Sequence, residues 1–171
     1  ETTMTKQPRL QNERGAIIEV ASAISTVNPV AEIATQVHAA GALLFVDAVQ
    51  GAAHGSTDVR QLGADLLACS AYKFFGPHQG ILWGRQELLD RLPAYKVRPA
   101  SIKAPGKFET GTQSHEGLAG VLGAVDYFEW LGNLEGGAHA AQFAHLQGRR
   151  QRLACAMAAI HDYERMLSER L

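Results

Sequence analysis

Two short apolar runs set the terms for this chain, because each stops abruptly on a polar cluster. Ala42-Leu43-Leu44-Phe45-Val46 ends in Asp47, and Gln50 follows shortly after. Leu66-Leu67-Ala68-Cys69 ends in Ser70-Ala71-Tyr72-Lys73. Runs this short and this apolar read as buried strands of a parallel sheet. The carboxyl ends of such strands share one edge, and ligands bind in the crevice outside it. Asp47, Gln50, Ser70, Tyr72 and Lys73 are therefore expected along one crevice.

The flanking pattern supports an alternation of strands and helices. Ala16–Ala21 reads as a strand after Gly15, and Ser22–Asn28 as a loop. Asn28-Pro29 signals a helix start, and Val30, Ile33, Ala34 and Val37 place one apolar face on a helix from Val30 to Ala40. Asp58–Gly63 reads as a short helical turn closed by glycine, and Ile81–Trp83 as a further strand. Leu92–Lys107, with prolines at 93, 99 and 105, reads as an irregular excursion. Glu116–Leu131 is expected to be a helix whose inner face carries Leu118, Val121, Leu122, Val125 and Phe128. Beyond Gly136-Gly137, residues 138–171 read as one long helix. The expected fold is a three-layer α/β arrangement, a mostly parallel sheet flanked by helices. Residues 1–15 form an irregular segment, 16–137 the sheet-containing domain, and 138–171 the helix.

Composition narrows the function classes. The 171 residues are 46% hydrophobic and 19% charged, with a net charge of −1. That is enough chain for a sizeable core. There is no basic tract to hold nucleic acid and no apolar run of the ~20 residues a membrane helix needs. The two cysteines, Cys69 and Cys155, lack metal spacing and fit a reducing, cytoplasmic setting. Seven histidines are present without an HExxH pattern; His54 and His78 fall nearest the expected crevice. No GxGxxG follows a strand, which disfavours a dinucleotide site.

The residue types at the crevice suit pyridoxal 5'-phosphate (PLP). A lysine among Tyr72, Phe74 and Phe75 can condense with an aldehyde, since apolar surroundings favour the neutral amine. A carboxylate at Asp47 can either face a pyridinium nitrogen or cap the turn that follows it. Gln50 can donate to the phenolate, and Ser70 can hold phosphate. Glu109-Thr110-Gly111-Thr112-Gln113 lies before a helix, and reads either as a cap or as an anion-binding helix start.

Asp-Ala-Val-Gln at 47–50, Ser-Ala-Tyr-Lys at 70–73 and Glu-Thr-Gly-Thr at 109–112 resemble class V aminotransferase-fold proteins, PLP enzymes of fold type I. The resemblance covers residues 16–171 and is closest to the cysteine desulfurase and selenocysteine lyase branch. It implies that Lys73 is the Schiff-base lysine, Asp47 the pyridinium partner, Gln50 the phenolate contact and Ser70 a phosphate ligand. Thr112 would reach the phosphate of a partner subunit's cofactor, in a homodimer. It implies an amino-acid substrate and, for a desulfurase, a sulfur-acceptor protein. Tyr72 departs from the histidine common in desulfurases, although its hydroxyl could still meet the phosphate. Neither cysteine matches the sulfur-accepting position. The resemblance further implies a fragment: part of the large domain, inactive alone, with 138–171 leading into a C-terminal domain. Transamination, racemisation, β-elimination, or a non-catalytic α/β scaffold remain alternatives.

Overall fold

The computed structural model describes residues 14–19 and 28–171. Four strands, β1 (Arg14–Glu19), β2 (Ala42–Asp47), β3 (Leu66–Ser70) and β4 (Gly80–Gly84), form one sheet in the order β1-β2-β3-β4. β1, β2 and β3 are parallel, with Glu19 opposite Asp47 and Asp47 opposite Ala68. β4 is antiparallel to β3, pairing Ser70 with Gly80 and Leu66 with Gly84. The expected strand at 16–21 thus starts earlier, at Arg14, inside the segment read as irregular; residues 1–13 and 20–27 lie outside the described part.

Side chains alternate across a strand, so β2 sends Leu44 and Val46 to one face, where both are fully buried. Helix α1 (Val30–Ala39) covers them with Val30 and Ala34, and Ala48, Ala64 and Leu67 complete the core. Helix α2 (Gly51–His54) follows the β2 turn. Helix α3 (Val59–Leu62) is capped by Asp58, whose carboxylate accepts from the Arg60 and Gln61 amides, and is closed by Gly63 at φ 69°. That left-handed position favours glycine, and a Cβ there would also sit 2.9 Å from the Ala34 Cβ.

Asp65 ties this half together. It is 3% exposed, accepts from the Leu44 amide at 2.7 Å and His38 Nε2 at 2.9 Å, and forms an ion pair with Arg85 Nε at 3.3 Å, while that nitrogen donates to the Ala64 carbonyl. One carboxylate thereby joins α1, β2 and the end of β4.

Helix α4 (Gln86–Arg91) was not foreseen from the sequence. Residues 92–114 carry no strand or helix, as expected. Lys107, 7% exposed, anchors this excursion by donating to the carbonyls of Asp90 and Leu92 at the end of α4. A cation there also complements the helix dipole.

Two expectations about the helical half need correction. Helix α5 (His115–Glu135) buries Ala124, Phe128 and Gly132, whereas Leu118 and Leu122 are about half exposed. The single helix over 138–171 does not form: Gly136–His139 is a 3-10 turn, turns follow, and helix α6 runs from Gly148 to Ser168. Packing explains both. Contacts advance together along the two helices, from Asp126–Arg149 through Gly132–Arg152 to Gly136–Cys155, so α6 runs beside α5 in the same direction. Residues 137–147 must carry the chain back before α6 can begin, and a continuous helix could not. The approach is so close that a Cβ on Gly132 would collide with the Arg152 carbonyl oxygen. Small residues, not the leucines, therefore form the buried seam.

Among the described residues, no helix is long and apolar enough to cross a membrane.

Candidate active site

The parallel strands deliver their last residues to one edge, as the apolar runs implied. Asp47 closes β2 and Ser70 closes β3, while the Ala48 amide donates to the Ala68 carbonyl at 2.8 Å and binds the two strand ends together. Asp47 Oδ1 accepts from the Val49 amide at 3.0 Å. The carboxylate thus caps its own turn, and the same turn brings Gln50 to the start of α2. Among the described residues Asp47 Oδ2 has no partner, which leaves it for a second one.

Ser70 precedes a 3-10 turn, Ala71–Phe74, that contains Tyr72 and Lys73. Its hydroxyl caps nothing in that turn. The turn ends on Phe75 at φ 66°, a left-handed residue that is not glycine. Such a backbone costs about 1–3 kcal/mol and is kept where surrounding contacts fix it. Phe75 has those contacts: its ring meets Tyr127 edge-on at 5.5 Å and Phe128 at 5.8 Å. The loop carrying the lysine is thus pinned to α5.

A cleft of about 910 Å³ opens beside this turn. Lys73 and Phe75 form one wall, Tyr127 and Glu135 of α5 a second, and Asp162 and Glu164 of α6 a third. Of the six site residues expected from sequence, Lys73 alone lines it; Asp47, Gln50, Ser70 and Tyr72 stand at the sheet edge and the turn itself. Thr112 is exposed in the loop before α5, and the cap of that helix is Ser114, whose Oγ accepts from the Gly117 amide at 3.2 Å.

The two histidines nearest the crevice take different places. His54 pairs with Glu164 at 3.0 Å, bridging α2 to α6 at the cleft. His78 stacks on Tyr72 with centroids 5.1 Å apart. Sequence reasoning missed Glu135, Asp162 and Glu164 as cleft residues. They are ordinary solvated positions on their own helices, and only the packing of α5 and α6 brings them to one cleft. Among the described residues no group of His, Cys, Asp or Glu could hold a metal ion. Burial pushes the Cys69 thiol up from its ordinary value, and Cys155 is 4% exposed.

Known proteins resemble this chain in sequence and fold. Residues 11–164 match the family Aminotransferase class-V. A cysteine desulfurase of Dickeya dadantii is 36% identical over 148 residues, covering 77% of this chain and 36% of the relative. The solved cysteine desulfurase CsdA (S-sulfonic acid) of Escherichia coli aligns at 29% identity and a TM-score of 0.60, covering 79% of this chain and 39% of that one. The apo cysteine desulfurase of Thermococcus onnurineus NA1 aligns at 26% identity and a TM-score of 0.61, covering 77% and 37%. The chain spans about a third of the length of the curated relatives it matches. With the matching span reaching from before β1 to within α6, the chain belongs to the class V aminotransferase family.

Proposed function

We propose that this chain forms the PLP-holding part of an enzyme that acts on an amino acid in the manner of a cysteine desulfurase. The observation that carries the reading is the sheet edge: a carboxylate with one oxygen unpartnered and a hydroxyl unbonded among the described residues, and an amine in the turn just beyond. Those donors fit PLP in kind. Lys73 would hold its aldehyde carbon, Asp47 its ring nitrogen and Gln50 its phenolate oxygen. Ser70 and Tyr72 would hold the phosphate, with Thr112 reaching that of a partner subunit in a homodimer. Bound there, PLP would supply an electron sink for charge developing at the substrate α-carbon. The Lys73 amine would take or return a proton at that carbon. The ionised Asp47 carboxylate would keep the ring nitrogen protonated.

Desulfuration also needs a thiol to accept sulfur. A raised, half-buried Cys69 and a buried Cys155 do not suit that task. A second reading is another class V reaction on the same scaffold, and an assay of sulfide and alanine release from cysteine separates the two. For a desulfurase, a sulfur-acceptor protein would then be the partner.

The test uses the full-length protein. Lys73→Ala is expected to lose the visible absorbance of protein-bound PLP and all turnover while keeping its melting curve; wild-type turnover in this variant would refute the assignment. Asp47→Asn is expected to keep cofactor and lose at least ~10²-fold in turnover, about 2.7 kcal/mol of barrier. A loss below about threefold would remove Asp47 from the mechanism.

A further inference from the structure

Tyr72 is the neighbour of Lys73 in the chain and also its neighbour in space. The Lys73 Nζ lies 5.0 Å from the Tyr72 ring centroid, within the range where an ammonium is attracted to an aromatic face. The ring is 45% exposed, so solvent alone would let it swing. It is held by His78, whose ring lies 5.1 Å away and only 17° from parallel.

His78 is itself set by a closed loop. The Ala71 amide donates to the Gln79 carbonyl at 2.9 Å, and the Gly76 amide donates to the Ala71 carbonyl at 2.9 Å. Gly76 is packed so tightly on Ala71 that a Cβ would fall 2.8 Å from the Ala71 Cβ. The backbone therefore presents Tyr72 and His78 to each other from the two arms of one rigid loop.

We propose that His78 is a positioning residue for Lys73: stacked on Tyr72, it fixes the ring whose face holds the Lys73 amine. The lysine is thereby ordered before any aldehyde arrives, which lowers the entropic cost of presenting it. The purpose of the device rests on the PLP reading above; the geometry does not.

The experiment uses the full-length protein without cofactor. Isotope-labelled reductive methylation gives Lys73 an NMR signal, assigned by its loss in Lys73→Arg and shifted by the Tyr72 ring current. Separately, brief acetic anhydride labelling of the unmethylated protein, read by mass spectrometry, gives the reactivity of the Lys73 amine. In His78→Ala and His78→Gln the ring-current shift is expected to collapse toward that of an exposed lysine. Labelling should rise about two- to fivefold, the factor that loss of an exposed cation–π contact gives. His78→Phe keeps a stacking face and is expected to behave as wild type, which a role in charge or hydrogen bonding would not allow. If His78→Ala leaves both the shift and the labelling rate unchanged, or if His78→Phe fails to restore them, the proposal is overturned. Incubation of the wild type with PLP and borohydride tests the underlying reading by itself. An unlabelled Lys73 there would refute the PLP assignment and leave the NMR result to decide the role of His78.

Discussion

Around Leu44 and Val46 the chain buries branched side chains under a helix; around Gly132 and Gly136 it buries chiefly small residues. The sheet half gains its stability from apolar area and from one buried carboxylate with three partners. The α5–α6 half gains it from close backbone approach along Gly132, Gly136, Ala154, Cys155 and Ala156, with its charges on the outside. There Glu129 accepts from both Arg149 and Arg152, and Arg149 also reaches Asp126. The difference assigns the halves separate tasks: the first presents Asp47, Ser70 and Lys73, and the second walls the cleft beside Lys73.

The two tryptophans can report the halves separately, since Trp83 packs against the sheet core and Trp130 sits on α5. The largest effect is expected from Asp65→Ala. It removes a buried charge, strands the Leu44 amide and frees His38 and Arg85, at a cost of about 3–5 kcal/mol. Urea unfolding followed at Trp83 measures it, and a loss below about 1 kcal/mol would show that the carboxylate does not hold this half. Gly132→Val comes next, at about 1–3 kcal/mol of overpacking, because the new Cβ meets backbone that cannot step aside. Trp130 fluorescence should change while Trp83 keeps its native signal at low urea. Coincident transitions would mean that the halves are one cooperative unit.

The smallest effect belongs to Glu129→Gln. Hydrogen bonds from Arg149, then Arg152, hold the Glu129 carboxyl below its usual range. A carboxyl depressed in the folded state contributes stability that is complete above its unfolded value. That contribution is lost as pH falls through the lower folded one. The melting temperatures of wild type and variant should thus differ slightly at neutral pH. They should converge in acid below the ordinary Glu value of about 4.3, and also in high salt. A gap that persists in acid would exclude the ion pair as its cause.

Legibility in the sequence followed the same division. β2 and β3, with Asp47, Ser70 and Lys73 at or just past their ends, could be read because a strand's burial and its polar terminus are both local. Helix α3 was visible in Asp58 and Gly63, a cap and a stop. Asp65 was not singled out: it precedes an apolar run, and its partners come from α1, β2 and the residue after β4. In α5 the count of large apolar residues favoured Leu118 and Leu122, whereas the seam was written in glycine and alanine, which carry no hydrophobic signal. The return through 137–147 was missed because alanine-rich sequence favours helix locally, and only the demand that α6 lie along α5 forbids it. The His54–Glu164 and Tyr72–His78 pairs needed the folded backbone to bring them together.

The reversed direction of β4 has a consequence for where this fold can tolerate change. Starting beside Ser70 and ending beside Leu66, β4 takes the chain from the carboxyl edge of the parallel strands to the opposite edge before α4 begins. The loop beyond α4 is then tethered near its root by Lys107. Residues added or removed between Leu92 and Gly106 would lengthen or shorten a surface excursion rooted at the far side of the sheet. The strand ends that carry Asp47 and Ser70 would keep their register, so this loop is the natural place for the protein to vary its outline while leaving its chemistry alone.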